Sequence, residues 1–300
     1  MARAGYSANR EGGSISEYRI YGKKLGEGAY AVVRPAKHLE SGDIVALKTY
    51  NRLKLVDPKK MKAVRREIAI IKEINHPQIA NFINCFENRR NIHLVLENAG
   101  KNNLMDLMLK KPLEKALALK IFKQLVQAIV YIHELGIAHR DIKLENVVVN
   151  EDEKVKLVDF GFARKIVNNE KMEDICGTPN YMSPELCKKG SYNGRASDVW
   201  ALGIILYYLL IETFPFEGKS ERELFDNIIQ GEFDIFKLEP FPEEGELLEL
   251  IFMSSEDKRP SASEILENPI LKKIDISILI DKDRIAELEA KKAAELLREA

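Results

Sequence analysis

Hydrophobic and polar positions divide the chain into two regions with different periodicities. Up to residue 97, short apolar runs alternate with turn-forming residues, a pattern typical of β-strands joined by tight turns. These runs predict strands at 18–26, 31–39, 43–50, 79–86 and 91–97. One helical period interrupts them at 58–73, where Val64, Ile68 and Ile71 form an apolar face. We therefore expect a five-stranded antiparallel sheet with one main helix.

Beyond residue 100, longer helical periods replace the strands. The pattern predicts helices at 103–110, 114–135, 197–211, 221–230, 246–253 and 261–268, with short strands at 147–149 and 155–158. The predicted fold class is α+β, with a small β-rich lobe joined near residues 97–101 to a larger helical lobe. The crevice between two such lobes is the expected ligand site.

The predicted domain organisation has four parts: a flexible N-terminal tail at 1–17, an N-lobe at 18–97, a C-lobe at 102–272 and a helical extension at 273–300. Residues 281–300 are rich in strong helix formers and carry one apolar stripe. That stripe fits a helix packed on the large lobe, and it also fits a docking site for a regulatory partner.

Composition excludes several function classes. The chain has 300 residues, 45% of them hydrophobic and 31% charged, with a formal net charge of -1. This balance argues for a packed core and against a globally basic nucleic-acid or membrane-binding protein. The apolar run at 201–211 is shorter than the roughly 20 residues that cross a bilayer. Three widely spaced cysteines and an N-terminus without an apolar stretch indicate an intracellular, cytoplasmic location.

Phosphate-binding chemistry is suggested first by the turn at 25–28, between two predicted strands. Gly26 and Gly28 let backbone N–H groups approach phosphate oxygens, although an ordinary hairpin has the same appearance. Lys48 lies in an apolar strand, where an ammonium needs a partner, and Glu67 in the following helix can supply one. A snorkelling surface lysine is the alternative for Lys48.

A second polar cluster lies between a long helix and an apolar strand. Residues 139–146 read HRDIKLEN, and Asp159 ends the next strand but one. Asn146 and Asp159 offer oxygen ligands for a hard divalent cation such as Mg2+, which carries phosphates with it.

Taken together, these segments resemble the catalytic domain of eukaryotic protein kinases over residues 18–272. The match is to an ordered set of motifs, GEGAYAVV, VALK, RREI, HRDIKLEN, DFG, SPE, DVWALG and DKRP. The resemblance implies a bilobal kinase fold, the cofactors ATP and Mg2+, and phosphoryl transfer to protein hydroxyl groups. Lys143 and the segment 177–179 are similar to the serine/threonine class, and the chain most resembles its calmodulin-dependent and AMP-activated-like group.

The resemblance also implies roles for individual residues. The catalytic set comprises Lys48, Glu67, Asp141, Lys143, Asn146 and Asp159, with Asp141 as the base and with Asn146 and Asp159 as the Mg2+ ligands. The nucleotide-binding set comprises Leu25, Gly26, Glu27, Gly28, Val33, Ala46, Lys48, Leu96, Glu97, Ala99 and Val148. The resemblance further implies an apolar stack of Ile71, Phe82, His139 and Phe160, a Glu185–Arg259 ion pair, and an Asp198 that holds the backbone of the His139 loop.

Three positions depart from the family pattern or bear on specificity. Ala31 replaces a third glycine and is tolerated there if its φ is negative. Asp174 occupies the position that often carries an activating phosphate, so we hypothesise that it pairs with Arg140 in place of that phosphate; a solvated acidic loop is the alternative. Glu145 predicts a weak preference for basic protein substrates.

Two other functions share this fold. A pseudokinase would bind partners as a scaffold, but Lys48, Asp141, Asn146 and Asp159 are all present, which disfavours it. A small-molecule kinase is disfavoured by the GTP…SPE segment and Arg259, which favour a protein substrate.

Overall fold

The computed structural model describes residues 10–167 and 170–276. Its N-lobe is built on one sheet, in which a central strand pairs antiparallel with a strand on each side. The strands are β1 (Arg10–Glu11), β2 (Tyr18–Ile20), β3 (Gly26–Glu27), β4 (Ala31–His38), β5 (Ile44–Asn51), β6 (Phe82–Glu87) and β7 (Asn91–Glu97). Their order is β1-β6-β7-β5-β4-β2, with β3 paired to β4. The predicted α+β class and antiparallel N-lobe sheet are confirmed.

Helix α1 (Pro58–Glu73) has the bounds that the sequence predicted. The Asp57 side chain accepts a hydrogen bond from the backbone N–H of Lys59 at 2.8 Å, and a proline in the first turn favours the helix start. The predicted apolar face is buried in the main hydrophobic core. Glu67 is buried on the same side of the helix, so α1 presents a carboxylate to the sheet.

The N-terminal tail differs from the prediction from residue 10 onward. Strand β1 pairs in parallel with β6, and Asn84 Nδ2 of β6 donates to the Gly12 carbonyl at 3.0 Å. The 3-10 turn Ile15–Glu17 begins at a capping box formed by Ser14 and Glu17. The backbone N–H and C=O groups at the edge of β6 hold this segment in place. The polar composition of residues 10–17 does not indicate that such an edge is available for pairing.

The predicted strand at 18–26 is two strands, β2 and β3. The chain turns at Gly22, whose φ of +68° suits glycine, so the two halves pair with different parts of β4. Because of this break and the addition of β1, the sheet has seven strands within the described residues instead of the five predicted.

The C-lobe is mainly helical, as predicted. Its helices are α2 (Leu104–Met108), α3 (Lys115–Glu134), α4 (Pro184–Cys187), α5 (Gly194–Ile211), α6 (Glu221–Gln230), α7 (Pro242–Ile251), α8 (Ala262–Leu266) and α9 (Pro269–Lys272). Two antiparallel strand pairs accompany them: β9 (Val147–Val149) with β10 (Val155–Leu157), and β8 (Ile137–Ala138) with β11 (Arg164–Lys165).

Helices α3 and α5 form the centre of the C-lobe. Among the described residues, these two helices have the length and composition of candidate membrane spans, but more than half of each apolar window is buried inside the protein. Trp200 of α5 is fully buried and stacks on Phe216 at a centroid distance of 5.4 Å. Their hydropathy is accounted for by core packing.

Some helix boundaries and short elements were missed. Helix α5 starts three residues earlier than predicted, because the Asn193 side chain caps it by accepting from Arg195 N and Ala196 N. Helix α7 starts at Pro242 instead of residue 246. The short elements β8, β11, α4 and α9 were not predicted. The predicted helix at 281–300 lies outside the described residues, and the domain boundaries stay predictions.

Candidate active site

The turn at 25–28 contains β3, which pairs antiparallel with β4. Leu25 N donates to Val33 O, and Gly28 N donates to Ala31 O, both at 2.9 Å. Apart from the two chain neighbours, no heavy atom of the described residues would lie within 4 Å of a Cβ added to Gly26, so open space adjoins that backbone. Ala31 is absent from the positive-φ residues among those described, so alanine is accommodated there without strain.

Lys48 of β5 is buried and reaches two carboxylates. Its Nζ lies 2.7 Å from Glu67 Oε1 and 2.7 Å from Asp159 Oδ1. Burial works against the charged ammonium, but Glu67 and then Asp159 outweigh it and raise the pKa of Lys48 well above its ordinary value. The sequence prediction of a Lys48–Glu67 pair is therefore matched by the geometry, and the snorkelling alternative does not fit.

Asp159 follows β10 in a left-handed backbone conformation with φ of +62°, an uncommon geometry that the surrounding contacts hold in place. The Lys48 ammonium lowers the pKa of Asp159 to about 2, so the carboxylate is ionised at neutral pH. Its side chain is 49% exposed, which leaves it accessible from the cleft.

Asp198 of α5 holds the backbone of the loop at 139–146. Asp198 Oδ2 accepts from His139 N and Oδ1 accepts from Arg140 N, each at 2.8 Å. Asp198 Oδ2 also lies 2.9 Å from His133 Nε2. Arg140 takes a φ of +68°, and these two backbone bonds pin that conformation.

His139 is packed in the core, edge-on to Phe160 with ring centroids 4.8 Å apart. Burial lowers the pKa of His139, so the ring is neutral at pH 7 and behaves as a core aromatic group. Ile71 and Phe82 are buried in the same hydrophobic core as Phe160.

Asp141 lies at the centre of a network of donors. Thr178 Oγ1 donates to Asp141 Oδ1 at 3.0 Å, while Lys143 Nζ lies 2.8 Å from Asp141 Oδ2. Lys143 Nζ also donates to Thr178 Oγ1 at 2.9 Å. Asn146 Nδ2 donates to both the carbonyl and Oδ2 of Asp141, at 2.8 and 3.0 Å. These contacts fix one rotamer of the carboxylate with a lysine and a hydroxyl group beside it.

Asn146 and Asp159 fit the chemistry of a hard cation site. Because Asn146 Nδ2 is used on Asp141, the amide oxygen is the end left to act as an acceptor. The Asn146 carbonyl accepts from Val158 N at 2.9 Å, which brings the residue before Asp159 next to Asn146. An amide oxygen and an ionised carboxylate are ligands that Mg2+ takes together with water and phosphate oxygens.

Several residues of the predicted nucleotide-binding set lie on adjoining strands or on the segment after β7. Val33 pairs with Lys48, and Ala46 pairs with Leu96. Ala99 makes no backbone hydrogen bond within the described part of the chain. Gly100 has a φ of +134°, and a Cβ added there would lie 3.3 Å from Val148 Cγ1. The connecting segment therefore passes close to Val148, another residue of the predicted nucleotide-binding set.

Asp174 bridges two arginines. Its Oδ2 lies 2.9 Å from Arg140 Nη1 and its Oδ1 lies 2.6 Å from Arg164 Nη1. Burial opposes the ionised form, but these arginines outweigh it and lower the pKa of Asp174. Arg140 is buried and also donates to the Tyr192 hydroxyl and the Phe162 carbonyl, so Asp174 is paired with a fixed guanidinium although its own side chain is 48% exposed.

The C-lobe brace predicted from the family resemblance is present. Arg259 Nη1 and Nη2 contact Glu185 Oε1 and Oε2 at 2.6 and 2.7 Å, a bidentate pair. The guanidinium also lies 4.9 Å from the Trp200 ring centroid. This anchors α4, which follows the segment carrying Thr178.

Sequence reasoning missed three supporting residues. Arg164 completes the Asp174 contact, His133 supports Asp198, and Tyr181 donates to Glu145 Oε2 at 3.3 Å. Each is an ordinary polar residue whose partner is distant in sequence. Only the basic character of Arg164, five residues after Asp159, gave a signal that could have been used.

Comparison with known proteins agrees with this geometry. The family model described as "Protein kinase domain" matches residues 19–271. Human NUAK family SNF1-like kinase 1 is 36% identical over 210 residues, covering 70% of this chain and 32% of that protein. The Dictyostelium discoideum protein named "Probable serine/threonine-protein kinase MARK-A" is 34% identical over 261 residues, covering 86% of this chain and 24% of that protein.

The chain thus spans about a third or less of the length of these relatives. The family model covers the sheet, the cleft residues and the C-lobe together, and the relatives fit the predicted serine/threonine, AMP-activated-like group. The chain belongs to the protein kinase family.

Proposed function

We propose that this protein transfers the γ-phosphoryl group of Mg-bound ATP to serine or threonine hydroxyl groups of protein substrates. The observation that carries the proposal is the pairing of two clusters in one cleft. Lys48 is held between Glu67 and Asp159, and Asp141 is held by Asn146 and a lysine. Such a site needs little covalent chemistry, because alignment and charge neutralisation supply most of the rate.

Each residue of the cleft has a separate role in the proposed reaction. Lys48 binds the phosphates of the nucleotide, and Glu67 orients the Lys48 side chain. Asn146 and Asp159 hold Mg2+, which neutralises phosphate charge when bound. Asp141 orients the substrate hydroxyl and accepts its proton, and the Lys143 ammonium stabilises the charge on the transferred group.

The turn at 25–28 covers the phosphates, and the backbone of Glu97 and Ala99 binds the adenine edge. The apolar side chains of Val33, Ala46 and Val148 would enclose the base.

Phosphate transfer from radiolabelled ATP to a generic protein substrate tests the proposal. We expect Asp141→Asn to lower kcat by at least 100-fold while Mg-ADP affinity stays within threefold, because Asp141 touches the hydroxyl and not the nucleotide. Lys48→Met should lower kcat and also weaken nucleotide binding. Wild-type protein that incorporates no phosphate, or an Asp141→Asn variant with wild-type turnover, would contradict the proposal.

Substrate choice is proposed to rest on Glu145. Its carboxylate is exposed, and Tyr181, which donates to it at 3.3 Å, holds it at the side of the catalytic loop. An exposed anion beside Asp141 favours a basic side chain upstream of the acceptor. A peptide array should show a weak preference for arginine that declines in Glu145→Gln, and an acidic or proline-directed preference would overturn this part.

Regulation is proposed to use Asp174 in place of a phosphate. Asp174 contacts both Arg140 and Arg164, so the segment is ordered by a carboxylate that needs no upstream kinase. The carboxylate carries roughly one negative charge where a phosphate carries about 1.5 to 2, so the substitution is partial. An intracellular, cytoplasmic location and a regulatory partner for residues 281–300 are further parts of the proposal.

A further inference from the structure

An ion pair links β10 to the end of β7, at the point where the chain leaves the N-lobe. Lys156 Nζ lies 2.8 Å from both Oε1 and Oε2 of Glu97. The same ammonium donates to the Ile79 carbonyl at 3.4 Å. Asn81 completes the arrangement, donating its backbone N–H and its Nδ2 to Glu97 Oε2 at 3.2 and 2.9 Å. Three donor groups, the Lys156 ammonium and the backbone and side-chain N–H groups of Asn81, therefore meet at the Glu97 carboxylate.

The pair is shielded from water. The side chains of Lys156 and Glu97 are 12% and 19% exposed. A shielded pair with both carboxylate oxygens engaged is screened less than a surface pair and holds a defined geometry. The segment before Asn81 is tied to β10 as well, because Leu157 N donates to Gln78 O at 2.8 Å.

The position of Lys156 connects this pair to the proposed nucleotide slot. Lys156 stands opposite Val148 in the β9–β10 register, and cross-strand partners project from the same face of a sheet. Val148 is the proposed floor of the adenine slot, and the Glu97 backbone is one of its proposed edges. The Lys156 side chain thus joins β10, the strand paired with the one that carries Val148, to the residue whose backbone is the proposed edge.

We propose that Lys156 is a positioning residue for adenine: through Glu97 it sets the distance between the connecting segment and the Val148 floor. This rests on the proposed function, since it assigns the same cleft to the nucleotide. Lys156 touches neither the phosphates nor the substrate hydroxyl. Its loss should therefore weaken base binding and leave the phosphate-handling groups, Lys48 and Asp159, in place.

The test compares Lys156→Met with Lys154→Met, a matched control that removes a lysine one residue before β10. Calorimetry measures adenosine and Mg-pyrophosphate separately, and steady-state kinetics give KM for ATP and kcat. For Lys156→Met we expect Kd for adenosine and KM for ATP to rise about tenfold, with kcat and Kd for Mg-pyrophosphate within twofold of wild type. Lys154→Met should change none of these values by more than twofold.

Two further variants keep the test decisive. Lys156→Arg should recover most of the adenosine affinity, because a guanidinium can bind both Glu97 oxygens. Lys156→Gln is one atom shorter than lysine but keeps a hydrogen-bond donor in case the methionine variant is poorly folded, and it should show an intermediate loss. Adenosine affinity within twofold of wild type in Lys156→Met or Lys156→Gln, equal losses for adenosine and Mg-pyrophosphate, or no recovery in Lys156→Arg would overturn the proposal.

The two binding measurements do not depend on catalysis. Wild-type protein that binds adenosine but transfers no phosphate would contradict the proposed function. The affinities of the Lys156 variants for adenosine and Mg-pyrophosphate would still test the Lys156 inference.

Discussion

The Glu185–Arg259 ion pair allows the sharpest stability prediction. The Arg259 side chain is fully buried and Glu185 is 13% exposed, with two nitrogen–oxygen contacts of 2.6 and 2.7 Å. In Glu185→Gln the guanidinium stays buried beside Trp200 and keeps only carbonyl acceptors, such as Met253 O at 2.8 Å. A buried charge without its counter-ion is the costly part of such a change.

The magnitude follows from that burial. Removing one partner of a buried ion pair costs about 3–5 kcal/mol, against about 0–1 kcal/mol for an exposed pair. For a domain of this size, 1 kcal/mol corresponds to roughly 2–4 °C in Tm. We therefore expect Glu185→Gln to lower Tm by roughly 6–20 °C.

Urea and thermal unfolding monitored by circular dichroism measure the effect, with Glu243→Gln as the matched control. Glu243 pairs with Lys273 at 3.3 Å, and the two side chains are 60% and 67% exposed, so the control should lose less than about 1 kcal/mol. A double variant, Glu185→Leu with Arg259→Met, should be more stable than Glu185→Gln because no buried charge remains. Equal losses in Glu185→Gln and Glu243→Gln would refute the reasoning.

The remaining predictions concern the cleft. Asp174→Asn should lower kcat about three- to tenfold in peptide phosphorylation assays, because Arg140 loses its counter-ion; unchanged turnover would contradict the role of Asp174. Gly100→Ala should raise Kd for ADP about threefold or more by calorimetry, because φ is +134° and the new Cβ would lie 3.3 Å from Val148; an unchanged Kd would count against the tight slot. The raised pKa of Lys48 and the lowered pKa of Asp159, about 2, keep both groups charged from pH 7.5 to 9. The affinity for Mg-ADP should therefore not change with pH across that range. A pH-dependent affinity between pH 7.5 and 9 would show that Lys48 or Asp159 changes its charge there.

Regular elements with a strong period were predictable from the sequence. Helix α1 and strand β7 have the predicted bounds, because apolar periodicity and end signals such as Asp57 act within a few residues. The split between β2 and β3 and the pairing of β1 with β6 were not predictable. Both depend on backbone groups of another strand, and the local residue pattern does not indicate which strand will supply them.

For the candidate site, the sequence by itself determined which chemical groups are present and in what order. An ammonium in an apolar strand, a polar cluster between a helix and a strand, a carboxylate at the end of another strand and an ordered set of motifs were enough to indicate the family and the cleft. Local constraints such as glycine at turns and charge in a hydrophobic run are encoded within a few residues, so they can be read before folding.

Only the tertiary structure decided how those groups are paired. That Asp174 bridges Arg140 and Arg164, and that Lys156 is tied to Glu97, depends on segments up to 59 residues apart meeting with correct geometry. Burial then sets the strength of each pair, since the same charges are screened in water and held firmly once it is excluded. Folding thereby brings the ionisable side chains together into two clusters with defined contacts.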